Sequence, residues 1–471
     1  MSQDSSIAQL ADLLRGEIDR LGPGERLPSS RTLVERHRVS PVTVSRALGV
    51  LTAEGLVVTR PGSGTFVAGR TPSGRAPRAA DHGWQAVALG DRTVHAGGLT
   101  GLLDPAPEGV IALGGGYLPP TLQPLRALAT AAARAARRPG AWERPPLAGI
   151  DGLRTWFART IGGDVTPGDV LITDGGQHAI SIALRALLPV GAPLLVESPT
   201  YLGVLAVARA AGLHAVPVPV DGDGVRPDLL ADAFAMTGAR VFYCQPTFHN
   251  PTGTVLAPER RRQVLSVARA AGAFVIEDDF ARHLAIEPAP PPLAADDPDG
   301  QVLHIASLTK ASAPSLRIAA LTARGPVAER VRAVQVVDSF FPSRQLQETA
   351  LELVSSPAWA RHRRAVRAGL LARRDALAVA LARDLPEVRV EPVTGGLYLW
   401  ARLPDGVDDV ALAEAARREG VVVSAGRQYF PAEPDGPYLR ISYGMAASEA
   451  ELAEGVRRLA RAPAAMPARP S

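Results

Sequence analysis

The segment Ser307-Leu308-Thr309-Lys310-Ala311-Ser312-Ala313-Pro314-Ser315-Leu316-Arg317 contains the only lysine of the 471-residue chain; the other 50 of its 51 basic residues are arginine. Lysine is ordinarily among the commonest residues. Surface lysines tolerate exchange for arginine, so a coding bias toward arginine can remove them at little cost. A primary amine that must form an imine cannot be exchanged, because a guanidinium stays protonated and is a poor nucleophile. The order is Ser-x-x-Lys followed seven residues later by arginine. Pyridoxal 5′-phosphate needs an amine for its aldehyde and cationic or hydroxyl partners for its phosphate. Lys310 offers the first, and Ser307 and Arg317 offer the others. An isolated Ser-x-x-Lys also occurs in unrelated hydrolases, so the surroundings decide.

Those surroundings are informative. Val275-Ile276-Glu277-Asp278-Asp279-Phe280 ends an apolar run in acids, where a buried carboxylate can keep a pyridine nitrogen protonated. The competing reading is a helix cap or a metal site, but no further ligands with suitable spacing appear, and no metal is expected. In Gln245-Pro246-Thr247-Phe248-His249-Asn250-Pro251-Thr252-Gly253, the Asn250 amide can donate to a phenolate oxygen. Asp174-Gly175-Gly176-Gln177-His178 joins a strand to a helix, and glycines there expose N–H groups as a phosphate cradle. Tyr201, in Glu197-Ser198-Pro199-Thr200-Tyr201, can lay its ring on a pyridine.

Short apolar runs at 170–173, 193–197, 240–245, 273–277 and 302–307 each precede a loop rich in Gly, Pro, Ser or Asn. Helical stretches at 177–188, 201–211 and 258–271 lie between them. This alternation predicts an α/β domain with a mainly parallel sheet covered on both faces. Residues 355–461, with strands expected at 395–402 and 437–443, read as a small α+β C-terminal lobe. Residues 462–471 read as a disordered tail.

Composition agrees with several folding units. An apolar fraction of 46% fills a large core, and 21% charged residues exclude a wholly disordered chain. No apolar run approaches the roughly 18 residues of a membrane span. The start MSQDSSIAQL lacks the basic and apolar regions of a signal peptide. The single cysteine, Cys244, fits a reducing compartment. A soluble, cytoplasmic protein with no membrane partner is expected.

The N-terminal end has a different pattern. Residues 7–20 have amphipathic helical spacing, broken by Gly22-Pro23-Gly24. A second helix is predicted after Pro28, capped by Ser29 or Ser30. Ser40 then suits an N-cap and Pro41 a first helical position, with Gly55 ending that third helix. Two β-rich runs, 56–59 and 65–67, flank the turn Arg60–Gly64, which predicts a hairpin. Three helices and a hairpin make a winged helix-turn-helix over residues 1–68. From Arg26 to Arg70, seven arginines face two glutamates, a local excess of five positive charges that suits either a phosphate backbone or a solvated basic face. The third helix offers Ser40, Thr43, Ser45 and Arg46 at the end that enters a major groove. Arg31 on the second helix, and Arg60 and Gly62 on the wing, are candidate backbone contacts. Simple helix capping is the alternative for Ser40 and Thr43. Residues 69–108 read as a linker, rich in Gly, Pro, Ala and Arg over 69–83, with a short helix expected somewhere after Trp84.

The blocks LPSSR (27–31), the Thr43-Val44 helix, Glu54-Gly55-Leu56 and GSGTFV (62–67) resemble the GntR-type winged helix. The blocks from Asp174 to Arg440, in this order, resemble fold-type I pyridoxal-phosphate enzymes, the aspartate aminotransferase superfamily, over residues 109–461. That resemblance implies Lys310 as the imine-forming lysine and Asp278 as the ring-nitrogen partner, these two being the catalytic pair. It implies Asn250 as donor to O3′, Tyr201 as the stacking ring, and Gly176, Gln177, Ser307 and Arg317 as the phosphate site. Arg440 matches the arginine that clamps a substrate α-carboxylate, with a surface strand residue as its alternative reading. The fusion is similar to the MocR subfamily of GntR regulators. It implies a homodimer that binds a double-stranded DNA operator and senses an amino acid or amine through exchange on the cofactor at Lys310. An active aminotransferase with an accessory DNA-binding domain is the second reading. Two departures bear on it: Phe280 replaces a tyrosine, and Trp142–Gly149 lacks a tyrosine that reaches across the dimer, Arg144 being the nearest substitute; on the DNA-reading helix, Pro41 replaces an arginine that makes a contact in many relatives.

Overall fold

The computed structural model describes residues 3–60, 63–68, 82–89, 97–104 and 106–462. Most of the expected linker before 97, the wing-tip Gly62 and the expected tail from 463 lie outside them. The chain divides into two compact units, Met1–Arg92 and Thr93–Ser471.

In the first unit, helices Gln3–Ile18, Ser30–His37 and Pro41–Ala53 precede a hairpin of Val57–Arg60 and Gly64–Val67. The hairpin register pairs Val57 with Val67 and Arg60 with Gly64. Apolar spacing of three and four puts Leu10, Leu14 and Ile18 on one face, where they bury against Leu33, Val44, Leu48, Leu51, Val57 and Val67. Both cap expectations hold in the geometry: Ser29 accepts from Thr32 N and Ser40 from Thr43 N, with Pro41 opening the third helix. Arg15 ties the first helix to the end of the third, its Nη2 lying 2.6 Å from Glu54 Oε1.

The second unit is built on an eight-stranded sheet. Its order is Val170–Thr173, Ala319–Thr322, Val302–Ser307, Phe274–Asp279, Val241–Cys244, Pro193–Ser198, His214–Asp221, Gly224–Val225. The run from Val302–Ser307 to His214–Asp221 is parallel throughout. Ala319–Thr322 is antiparallel to both of its neighbours, and Gly224–Val225 is antiparallel to His214–Asp221. The central strands are buried from end to end, as near-continuous apolar runs require when helices cover both faces. Helices Gly176–Leu187, Leu202–Ala210 and Pro258–Ala270 agree with the predicted stretches within two residues at each end. A 28-residue helix, Pro357–Asp384, leads into a second, antiparallel sheet of Arg389–Val390, Tyr398–Arg402, Tyr438–Ser442 and Ser424–Ala425. Part of the stretch read as linker is folded in this unit: helix Gly97–Leu103 packs on helix Leu202–Ala210. Leu99 on this helix is half-buried.

Candidate cofactor site and DNA-binding face

The carboxyl ends of the parallel strands converge on one cavity of about 340 Å³, the usual place for ligands in a doubly wound sheet. Its walls include Gly176, Gln177, Tyr201, Asn250, Asp278, Ser307, Lys310, Arg317 and Arg440, so the sequence-predicted cofactor and effector residues meet in one place.

Lys310 follows strand Val302–Ser307 and points its amine inward. Nζ donates to the Gly116 carbonyl at 2.9 Å and lies 3.9 Å from the Tyr117 ring centroid. Gly116 must be glycine: a Cβ there would stand 1.9 Å from Tyr398 Oη and 3.6 Å from Lys310 Nζ. Burial, aided by Arg440 and Arg317 and opposed by Asp278, brings the Lys310 pKa down to about 7. Near neutrality a large share of this amine is unprotonated and nucleophilic.

Asp278 lies on the adjacent parallel strand, where Ile305 pairs with it. Tyr243 Oη donates to its Oδ2 at 2.6 Å, and Gln245 Nε2 donates to the same oxygen at 2.7 Å. Burial lifts the Asp278 pKa to about 6, while these two donors hold it down. Tyr243 and Gln245 were not singled out from the sequence. A tyrosine inside the otherwise apolar strand Val241–Cys244 is the one local signal, since a buried phenol needs a partner.

At the opposite wall, Gly175 caps helix Gly176–Leu187 at φ +88°, and a Cβ on it would come within 2.8 Å of Arg317 Nη2. Arg317 donates to the Asp174 carbonyl at 2.8 Å, and Ser307 lines the same wall. Helix N–H groups, a guanidinium and a hydroxyl form an anion cradle. Tyr201 Oη donates to Gln177 Oε1 at 3.0 Å, and Gln177 Nε2 to the Gly203 carbonyl at 3.0 Å, which fixes both side chains.

Arg440 sits on strand Tyr438–Ser442 with 2% exposure, which removes the surface-residue reading. Its guanidinium lies 3.9 Å from the Tyr398 ring centroid and 4.9 Å from that of Tyr429. Nη1 donates to Asn250 Oδ1 at 2.9 Å and Nη2 to the Gly114 carbonyl, while Nε has no partner. With Oδ1 accepting from Arg440, the Asn250 amide nitrogen is left to donate elsewhere. Thr309 Oγ1, also in the cavity wall, is buried without a partner. An amine, a buried carboxylate, an anion cradle and spare polar atoms are a donor set that fits pyridoxal 5′-phosphate. Phe280 lines the cavity and brings no hydroxyl.

The expectation that the acidic run lacks further metal-type ligands is corrected. Glu277 and Asp279 point to the other face of the sheet, where His304 from the neighbouring strand joins them within 4.8 Å. Pairing between strands brings His304 in, which spacing along the chain cannot show. These carboxylates are already engaged. Glu277 accepts from Leu293 N at 2.8 Å and Ala294 N at 3.0 Å, and Asp279 pairs with Arg282 and, at 3.1 Å, with His304.

On the first unit, Ser45 and Arg46 are exposed on the third helix. Thr43 is not: it is 7% exposed, and its hydroxyl lies 2.8 Å from Ser40 Oγ. The geometry gives the Ser40–Thr43 pair the capping role. Arg31 is exposed and lies 3.3 Å from Glu35, one helical turn on. Arg60 stands 5.3 Å from the Phe66 ring centroid.

Comparison with known proteins matches residues 109–459 to the family of aminotransferases class I and II, and residues 7–67 to the gntR family of bacterial regulatory proteins. The uncharacterized HTH-type transcriptional regulator YdfD of Bacillus subtilis is 30% identical over 93% of this chain and 91% of its own. The probable rhizopine catabolism regulatory protein MocR of Rhizobium meliloti is 29% identical over 90% of this chain and 87% of its own. Among solved structures, the alpha-aminoadipate aminotransferase LysN of Thermus thermophilus superposes with a TM-score of 0.73 at 30% identity, covering 78% of this chain and 95% of that one. No helix among the described residues is long and apolar enough to cross a membrane. The chain therefore belongs to the aminotransferase class I and II family and, through its gntR-family domain, to the MocR-type transcriptional regulators, DNA-binding proteins with a pyridoxal 5′-phosphate-dependent fold.

Proposed function

We propose that this chain is a cytoplasmic regulator that binds an operator through residues 1–68 and senses an amino acid or amine at Lys310. The observation behind this reading is a single buried amine, near-neutral in pKa, sharing a cavity with Asp278, the Arg317 cradle and Arg440. Pyridoxal 5′-phosphate supplies an aldehyde carbon reactive toward amines and a ring that accepts electron density. Lys310 provides the resident amine. Asp278, held by Tyr243 and Gln245, would hold a proton at the ring nitrogen. Asn250 would donate to the phenolate oxygen, Tyr201 would offer its ring to the pyridine, and Gly176, Gln177, Ser307 and Arg317 would hold the phosphate. Arg440 takes the effector's carboxylate. The effector shifts DNA binding only by its differential affinity for two conformations of the protein. Exposed Trp142, Val337 and Phe340, 81%, 79% and 66% exposed, are apolar surface that a homodimer would cover.

Borohydride treatment of the protein with added cofactor tests the reading. Irreversible labelling at Lys310, absent in Lys310→Ala, supports it; a colourless protein or labelling that survives the substitution refutes it.

A second reading, an active aminotransferase, draws on the same amine and arginine. Single-turnover spectra separate the two: reversible conversion to the pyridoxamine form by an amino acid and a keto acid establishes catalysis.

A further inference from the structure

We infer that Gln245 is a positioning residue that serves both ends of the cofactor ring at once, its amide nitrogen holding Asp278 for the ring nitrogen and its amide oxygen holding Asn250 for the phenolate oxygen. The inference rests on the cofactor assignment above and adds to it a residue that acts through two others.

Gln245 follows strand Val241–Cys244, which runs parallel between Phe274–Asp279 on one side and Pro193–Ser198 on the other. Its polar atoms reach in three directions. Nε2 donates to Asp278 Oδ2 at 2.7 Å, Oε1 accepts from Asn250 N at 3.1 Å, and the main-chain N–H donates to Glu197 Oε2 at 2.7 Å. The partners fix which way the side-chain amide faces. A main-chain N–H only donates, so the atom against Asn250 N is the oxygen, and the nitrogen is turned to the carboxylate. An amide carries a donor and an acceptor on one rigid plane. An apolar residue of the same length offers neither, and a glutamate offers the acceptor but sets a like charge against Asp278.

Both targets depend on this contact. Burial lifts the Asp278 pKa, while the bonds from Tyr243 and Gln245 hold it down to about 6. Asn250 is gripped from two sides, by Arg440 Nη1 at its Oδ1 and by Gln245 at its main-chain N–H. A continuous hydrogen-bonded line therefore runs from Arg440 through Asn250 and Gln245 to Asp278. Glu197 anchors the line, for its Oε2 also lies 3.2 Å from His249 Nε2 and so pins the segment a second time. All six residues are buried, and every contact lies within one chain. A buried polar network of this kind is stable only when each member keeps its partner.

The test places Gln245→Leu in the full-length, cofactor-loaded protein and follows the pH titration of the cofactor's visible absorbance band. Loss of the hold on Asp278 or on Asn250 leaves more electron density on the ring, which makes the Lys310 nitrogen joined to the cofactor more basic. The midpoint is expected to move upward by about one unit. Cofactor affinity, read by fluorescence titration at pH 7, is expected to fall roughly tenfold or more. In an Asn250→Ala background the same substitution should move the midpoint only about half as far, since one of its two targets is already gone. Should Gln245→Leu not fold by circular dichroism, Gln245→Glu keeps the shape and the acceptor but loses the donor, and an upward shift is again expected. An unmoved midpoint and affinity in whichever variant folds overturns the inference. Equal shifts with and without the Asn250 amide overturn the double role. Both results leave the cofactor assignment standing, whereas an unaltered protein with no cofactor absorbance band overturns that assignment as well.

Discussion

Tyr243 and Asp278 occupy adjacent parallel strands, and the tyrosine hydroxyl donates to Asp278 Oδ2 across 2.6 Å. With Gln245 on the same oxygen, the other carboxylate oxygen is left free of these donors. The pair sets how readily Asp278 stays ionised in a fully buried place. Tyr243→Phe removes a donor that lowers the Asp278 pKa, so that pKa rises above about 6 and the ionised fraction near pH 7 falls. A hydrogen bond to a charged group contributes about 1.5–3 kcal/mol, so cofactor affinity should weaken roughly tenfold to 100-fold. Fluorescence titration of the cofactor-free protein at pH 7 reads this directly. Unchanged affinity would show that Tyr243 only fills space.

The Lys310 amine gives the second expectation. Its pKa is lowered to about 7, so it is protonated below that pH and neutral above it. Capture of pyridoxal 5′-phosphate should accelerate as pH rises through about 7 and level off beyond, being roughly 100-fold slower at two units below. Arg440→Gln removes a positive charge that lowers this pKa, and so moves the midpoint upward. A downward move in stopped-flow absorbance would contradict the electrostatic account.

Leu51 is fully buried among Leu14, Leu33 and Val57 in the small unit. Leu51→Ala should cost about 2–5 kcal/mol, a large part of the 5–15 kcal/mol typical of a domain. Operator binding in a gel-shift assay should collapse while borohydride labelling of Lys310 persists. Loss of both together would mean that the two units do not fold independently.

Arg46 is exposed on the third helix, and no acidic partner within salt-bridge distance is found among the described residues. If it meets a DNA phosphate, Arg46→Ala weakens binding across operator sequences and reduces the salt-dependence slope by about 1. If it meets a base edge, the slope changes less and one position of the operator loses discrimination. Ser40→Ala tests the cap instead, with an expected loss of about 1 kcal/mol in thermal stability.

Much of this architecture was legible because the cofactor blocks lie at strand ends, where short apolar runs meet loops of Gly, Pro, Ser and Asn. Several strands were not, Ala319–Thr322 and His214–Asp221 among them. Ala319–Thr322 directly follows the Lys310 segment, and nothing in Ala-Ala-Leu-Thr reveals that it runs antiparallel between two other strands. His214–Asp221 contains Pro217 and Pro219, residues that argue against a strand, and it is tolerated next to the sheet edge, where its outer partner is only two residues long. Within the site, the lysine, the aspartate and the arginines announced themselves by type and spacing. Tyr243 and Gln245 did not, because their role depends on which strand lies beside Asp278. Thr43 allowed two readings for a different reason: a hydroxyl near the start of a recognition helix serves its own helix as readily as a base, and here it lies against Ser40 Oγ.

The solitary amine has a practical consequence. Apart from the chain's N-terminus, reagents selective for amines have a single target, and that target stands inside the cavity against the Gly116 carbonyl. Acylation or reductive methylation therefore acts as a built-in gauge. The rate at which the added mass appears on the peptide that carries Lys310 reports how readily a reagent reaches the cavity, without a dye, a tag or an engineered cysteine.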